Sequence, residues 1–106
     1  MTQFEDRERG QETKFVLEAA KEFRAAAKRN KALGHWAAEI MGRSDKEKYA
    51  QEVIAADMEE KGEEDVFRKL RRDFDTANAD VSDATIREKM AFYLKEARAE
   101  VYGLEA

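Results

Sequence analysis

The chain contains no cysteine and no proline, and histidine occurs only once, at position 35. Without cysteine, disulfides, thiolate metal sites and cysteine nucleophiles are excluded. With a single histidine, a metal site that needs two imidazoles cannot form within one chain. Without proline nothing interrupts long helices, and the abundance of Ala, Glu, Lys, Arg and Leu favours an all-α fold.

Long apolar runs and a recognisable signal peptide are also missing. No apolar stretch approaches the roughly 18–20 residues that cross a bilayer, and the first residues form neither a basic nor an apolar region. We therefore expect a cytoplasmic protein with no direct insertion into the membrane.

The net charge of −4 is unevenly distributed, since residues 1–31 sum to +2 and residues 44–106 to −6. An acidic body argues against nucleic acid as the main partner, because phosphate neutralisation supplies most of that affinity. The basic block from Lys28 to Lys31 is interpreted as a solvated helix face.

Apolar residues at helical spacing predict a long first helix from about Gln11 to Met41. Gly42 follows it, where a left-handed cap is expected. Gly34 lies inside the helix and permits either close packing or a bend. The predicted buried stripe consists of Phe15, Ala19, Phe23, Ala26, Asn30, Leu33, Ala37 and Ile40.

Three shorter helices follow, and the four together predict a four-helix bundle. Ser44 and Glu47 form the pattern of a capping box at the start of the second helix. Acidic residues occupy the first turn of the third, and Ser82 is a typical cap for the fourth. The predicted ends of these helices are Gly62, Asn78 and Gly103.

The residues that could carry catalysis have simpler interpretations. A Ser–His–Asp arrangement would need Ser44 or Ser82, and both are better explained as helix caps. His35 is interpreted as a partly exposed packing residue and Trp36 as a core or groove residue. Glycine-rich phosphate loops and calcium loops are absent. We predict no catalytic residues, no metal site and no cofactor; a weak ATP or ADP site near Trp36 is left open.

The first residues differ from all that follow, because residues 5–14 contain no apolar side chain. Such a segment cannot bury enough surface to offset the entropy of ordering it. Phe4 and Phe15 frame it, and in a helix both rings would point the same way, about 16 Å apart. The pattern predicts a flexible arm over residues 1–14, helical on a partner, and a bundle over residues 15–106. A frayed polar terminus is the alternative.

Three strings carry a resemblance to a known family. Phe-Glu-Asp-Arg-Glu-Arg begins at Phe4 and is followed by Glu-Thr-Lys-Phe, which ends at Phe15. Arg-Asn-Lys-Ala-Leu-Gly-His-Trp-Ala-Ala-Glu-Ile-Met-Gly ends at Gly42, and Glu-Glu-Asp-Val-Phe-Arg-Lys-Leu begins at Glu63. Together these strings resemble the zeta-subunit family, the ATPase inhibitor subunits of alphaproteobacterial F-type ATP synthases. The resemblance covers essentially the whole chain.

The resemblance implies a regulatory inhibitor rather than an enzyme. Its amino-terminal arm would insert into the catalytic head of the ATP synthase and block ATP hydrolysis, which places the protein at the periphery of the inner membrane. Phe4 and Phe15 would be apolar anchors in pockets of the head. The residues expected to form charge pairs across that interface are Asp6, Arg7, Glu8 and Arg9. The alternative function is a helical adaptor, or a weak nucleotide-binding regulatory module, without inhibitory activity.

Overall fold

The part of the chain that the structure describes is built from four helices and contains no strand. The computed structural model describes the backbone of residues 3–59 and 62–103, and the side chains of residues 16–58 and 62–103. The helices are α1 (Gln3–Ile40), α2 (Lys46–Glu59), α3 (Glu63–Thr76) and α4 (Asp83–Tyr102). The predicted all-α, four-helix architecture with a long first helix is confirmed.

Helix α1 is 38 residues long and begins at Gln3, eight residues before the predicted start near Gln11. The prediction relied on the apolar stripe, which starts only at Phe15. The preceding residues are mostly Glu, Arg, Lys and Gln, which favour helix without an apolar face. The side chains of residues 3–15 lie outside the described part, so the flexibility of the arm and its boundary at residue 14 stay predictions.

Gly42 caps the carboxyl end of α1, as predicted. Gly42 adopts a φ of +72°, in the left-handed region. Its N–H donates to the carbonyl of Glu39 at 3.1 Å, and the N–H of Arg43 donates to the carbonyl of Ala38 at 2.9 Å. These two bonds form a Schellman motif, which satisfies carbonyls that the helix itself leaves unpaired.

The predicted signals at the ends of α3 and α4 are also confirmed. Asn78 adopts a φ of +56°, and its N–H donates to the carbonyl of Asp75 at 3.1 Å. The hydroxyl of Ser82 accepts a hydrogen bond from the N–H of Thr85 at 3.1 Å. Gly103 ends α4 with a φ of +70°.

The predicted capping box of Ser44 and Glu47 is wrong. Helix α2 begins at Lys46, so Asp45 rather than Ser44 directly precedes it. The carboxylate of Glu47 does not turn back toward the helix start but lies 3.0 Å from His35 Nε2 on α1. The packing of α2 against α1 created this contact, which local spacing could not reveal.

Buried side chains from all four helices form one core. Its members include Leu33, Ala37, Tyr49, Val53, Val66, Leu70, Phe74, Ile86 and Met90. The hydroxyl of Tyr49 donates to the carboxylate of Asp73 at 2.8 Å. Burial, followed by this hydrogen bond to a carboxylate, raises the pKa of Tyr49 above its ordinary value. The phenol is therefore neutral at physiological pH.

Helices α1 and α2 come into very close contact at Gly34. A Cβ atom added there would lie 2.7 Å from the Cα of Ala50 and 3.2 Å from its Cβ. This contact confirms the close-packing role of Gly34, and α1 continues through the glycine from Gln3 to Ile40. Backbone on the opposing side cannot rotate away, as a flexible side chain could.

Replacing Gly34 by alanine is therefore expected to lower the free energy of unfolding by about 2 kcal/mol. Overpacking against backbone at 2.7 Å is expected to cost about 3 kcal/mol, and the gain of about 1 kcal/mol in helix propensity offsets only part of that cost. Urea denaturation would measure the change. The matched control is Gly10→Ala on the same helix, which we expect to leave stability unchanged or slightly higher. Equal stability of the Gly34→Ala variant and the unsubstituted chain would contradict the close-packing role.

Candidate functional site: the amino-terminal half of α1

The six residues predicted to bind a partner all belong to the amino-terminal half of α1. The backbone that carries them is helical, so Phe4 and Phe15 are about 16 Å apart along one helix axis. Their side chains lie outside the described part, as do those of Asp6, Arg7, Glu8 and Arg9. The contacts of these six side chains stay predictions.

Directly after the arm, α1 exposes large apolar side chains to solvent. Val16 is 63% exposed, Leu17 56% and Phe23 63%. The prediction that Ala19, Phe23 and Ile40 belong to a buried stripe is wrong, since all three are exposed. The spacing of Ala19 and Phe23 is correct for a helix face, but α2, which ends at Glu59, leaves both side chains exposed.

The carboxyl end of α4 contacts α1 just beyond this exposed segment. The hydroxyl of Tyr102 donates to Glu22 Oε1 at 3.0 Å, and Arg98 Nε lies 3.3 Å from Glu22 Oε2. The ammonium of Lys21 lies 5.4 Å from the centre of the Tyr102 ring. Helix α4 therefore holds α1 in place from Lys21 onward, while the described residues before that point are exposed.

A buried polar cluster lies where α1, α2 and α3 meet. Arg29 is only 3% exposed and Asn30 only 1%. Arg29 Nε donates to Asn30 Oδ1 at 2.7 Å, and Asn30 Nδ2 donates to Asp57 Oδ2 at 2.9 Å. The guanidinium lies 3.7 Å from Asp57 and donates to Glu63 at 3.2 Å. Arg29 thus links α1 to both α2 and α3.

The interpretation of the block Lys28–Lys31 as a solvated face is therefore wrong for Arg29. Ala25, Arg29 and Leu33 step by four residues and are all buried. That spacing was visible in the sequence and could have placed Arg29 on an inward face.

An apolar cavity of about 380 Å³ opens beside this cluster, between α1 and α2. Its walls are apolar except for Asn30 and Asp57, and its outer edge includes Met58, which is 67% exposed. The other lining residues are Phe23, Ala26, Ala27, Ile54 and Gly62.

Trp36 belongs to the core, as predicted. Its ring meets that of Phe74 edge-on, with 5.6 Å between centres and an angle of 81°. Lys89 Nζ lies 5.9 Å from the Trp36 ring. Weak binding of ATP or ADP near Trp36 stays a prediction.

His35 is partly exposed, as predicted, with 39% of its side chain accessible beside Glu47. Within residues 16–58 and 62–103, no group of three or more His, Asp or Glu side chains could hold a metal ion. None of the helices, over the residues described, combines the length and apolar character needed to cross a membrane.

The fold and the exposed apolar segment define a class of protein: a small helical bundle with an apolar strip on a long helix, as is typical of proteins that act by binding another protein. Comparison with known families identifies the particular family to which the chain belongs. The family model for the ATPase inhibitor subunit zeta matches residues 1–100, and the chain belongs to this family. No curated protein matches the chain. Membership supports a regulatory, inhibitory role and implies an ATP synthase as the partner.

Proposed function

We propose that the chain inhibits ATP hydrolysis by an F-type ATP synthase, and that residues 1–14 bind the catalytic head of that enzyme. The observation that carries this proposal is the family match, which includes the arm as well as the bundle. The proposal requires no catalytic residue and no cofactor on this chain. It places the protein at the periphery of the inner membrane, held there by the synthase.

The geometry of α1 supports a role for the arm in reaching a partner. From Gln3 to Glu22, where the hydrogen bond from Tyr102 is made, α1 spans about 28 Å at 1.5 Å per residue. Every described residue from Val16 to Ala20 is exposed. A helix of this length can enter a cleft between subunits while the bundle stays outside.

The chemistry of the arm suits such an interface. Phe4 and Phe15 are the only aromatic residues in the first fifteen positions, and buried aromatics commonly dominate interface energy. Acidic and basic side chains alternate between them, which favours one register and orientation over others. If the arm becomes ordered only on binding, the entropy cost of ordering lowers its affinity for the head, and this keeps inhibition reversible.

The proposal predicts dose-dependent inhibition when a purified ATP synthase head is titrated with the full chain. Phe4→Ala and Phe15→Ala are each expected to raise the half-inhibitory concentration about 30-fold, as anchor residues do. Steady-state ATP hydrolysis is the measurement. Phe92→Ala is the control, because Phe92 is an aromatic residue 50% exposed on α4, and it should behave like the unsubstituted chain. Absence of inhibition by the unsubstituted chain would contradict the proposed function.

A further inference from the structure

One face of α1 changes from buried to exposed along its length. This α2-facing stripe consists of Val16, Ala20, Phe23, Ala27, Asn30 and Gly34. Its carboxyl part is covered by α2. A Cβ on Gly34 would touch Ala50, and Asn30 donates to Asp57 at 2.9 Å. This part of the stripe shows that the face is built to receive a helix.

The amino part of the same stripe has no helix against it among the described residues. Val16 and Phe23 are each 63% exposed, and Ala20 is exposed as well. The steps of four and three residues continue unchanged, while α2 ends at Glu59. The amino part of the stripe therefore exposes to solvent the same kind of surface that α2 covers in the carboxyl part.

Met58 adds an apolar wall beside Phe23, at the carboxyl end of this strip. We call the strip and Met58 together the groove. Met58 is 67% exposed on α2, and with Phe23 it lines the mouth of the cavity of about 380 Å³. Ala26, Ala27 and Ile54 line the inside, and small alanines let a helix approach closely. A methionine adapts its shape to what binds it.

The groove is also held in a fixed position before anything binds. Helix α4 fixes α1 at Lys21 and Glu22, and the Arg29 cluster fixes α1 to α2 about three and a half helical turns beyond Val16. Binding there would cost little conformational entropy compared with ordering the arm.

We propose that the groove of Val16, Ala20, Phe23 and Met58 is a second docking site, which receives an apolar-faced helix of the catalytic head. The inference rests on the proposed function, because the partner is the one that holds the arm. Val16 follows Phe15 directly on one continuous helix, so a partner that buries Phe15 is already adjacent to the groove.

The size of the groove argues against a second copy of this chain as the occupant. Stable interfaces bury about 800 Å² on each partner. Val16, Ala20 and Phe23 on one helix, with Met58 beside Phe23, fall well short of that area. A partner that also binds the arm needs only a modest additional contact.

The test is equilibrium binding of full-length chains to the purified head, measured together with inhibition of ATP hydrolysis. Phe23→Glu and Met58→Glu are each expected to raise the Kd about 30-fold, since a carboxylate would be buried in an apolar contact. Inhibition at saturating concentration should remain complete, because the arm is unchanged. Phe92→Glu, at an exposed aromatic on α4, should change the Kd by less than about twofold.

The outcomes separate this inference from the proposed function. If Phe23→Glu and Met58→Glu bind like Phe92→Glu while the arm substitutions weaken inhibition, the groove is not a docking site and the proposed function stands. If the chain binds the head without inhibiting it, and Phe23→Glu weakens that binding, the groove stands and the inhibitory function fails. If Phe23→Glu alters only self-association in sedimentation velocity, a second copy is the occupant and the inference is overturned. Circular dichroism checks the fold of each variant.

Discussion

Deleting residues 1–14 is expected to abolish inhibition of ATP hydrolysis while leaving the bundle folded. The buried side chains in the described part of the chain all lie at or beyond Ala25, and the described hydrogen bonds between helices involve residues from Glu22 onward. The deleted segment contains one large apolar anchor, Phe4, and no apolar residue between positions 5 and 14. Its removal therefore takes little from folding and, in our proposal, removes the element that blocks the head.

The measurement compares a chain of residues 15–106 with the full chain in the same titration of ATP hydrolysis. The expected loss exceeds that of any single arm substitution, because Phe4 and the four charged residues expected to pair with the head are removed together. Thermal unfolding followed by circular dichroism should give nearly the same midpoint for both chains. Equal inhibition by the two would move the inhibitory site to the bundle, and a large drop in the midpoint would show that the arm also stabilises the fold.

Helix ends were predictable from the sequence where the signal is local. Gly42, Asn78 and Ser82 act through hydrogen bonds that reach no more than five residues along the chain. A helix end in the left-handed conformation favours glycine or asparagine, and Gly42 and Asn78 both have a left-handed φ. This is why the order of the four helices and most of their ends followed from the sequence, whereas the start of α1 at Gln3 was predicted eight residues too late.

Several wrong predictions depend on how a second helix packs against the first. Glu47 has the spacing of a capping residue, yet its carboxylate lies beside His35 because α2 crosses α1 there. Phe23 has the spacing of a core residue, yet it stays 63% exposed at the end of α2. Arg29 sits in a basic block, yet Asp57 and Glu63 meet it from two other helices. The spacing of Ala25, Arg29 and Leu33 could have placed Arg29 on an inward face, but spacing within one helix does not identify the residues that a side chain meets on another helix.

The candidate site also has one part that the sequence predicted and one part that it did not. The sequence marked the arm, because an apolar-free segment framed by Phe4 and Phe15 is unusual in a chain that otherwise repeats an apolar stripe. It did not mark the groove, because Phe23 and Met58 are brought together only by the antiparallel packing of α1 and α2. A site built from residues of two helices cannot be predicted from the residue spacing within either helix.

The Arg29 cluster is where a single substitution is expected to affect stability most. The side chain of Asp57 is 20% exposed and that of Arg29 only 3%. Their charges are partly removed from water, and the pair is favourable only while both members and Asn30 satisfy one another. Removing one member leaves the others with unpaired polar atoms.

Arg29→Met is therefore expected to lower the free energy of unfolding by about 3–4 kcal/mol, measured by urea denaturation. Methionine keeps most of the apolar volume, so the loss reflects the unpaired carboxylate of Asp57 rather than an empty space. Arg24→Met is the matched control on the same helix. Arg24 is exposed, and its substitution should change stability by less than about 0.5 kcal/mol.

A second substitution distinguishes lost charge pairing from lost packing at this position. Asp57→Asn removes the carboxylate charge, so in the Arg29→Met background it should recover about 1–2 kcal/mol, whereas in the unsubstituted chain it should destabilise. This opposite sign is the signature of a coupled buried pair. Additive losses in the double variant would instead show that Arg29 stabilises the junction of α1, α2 and α3 through its hydrocarbon stem alone.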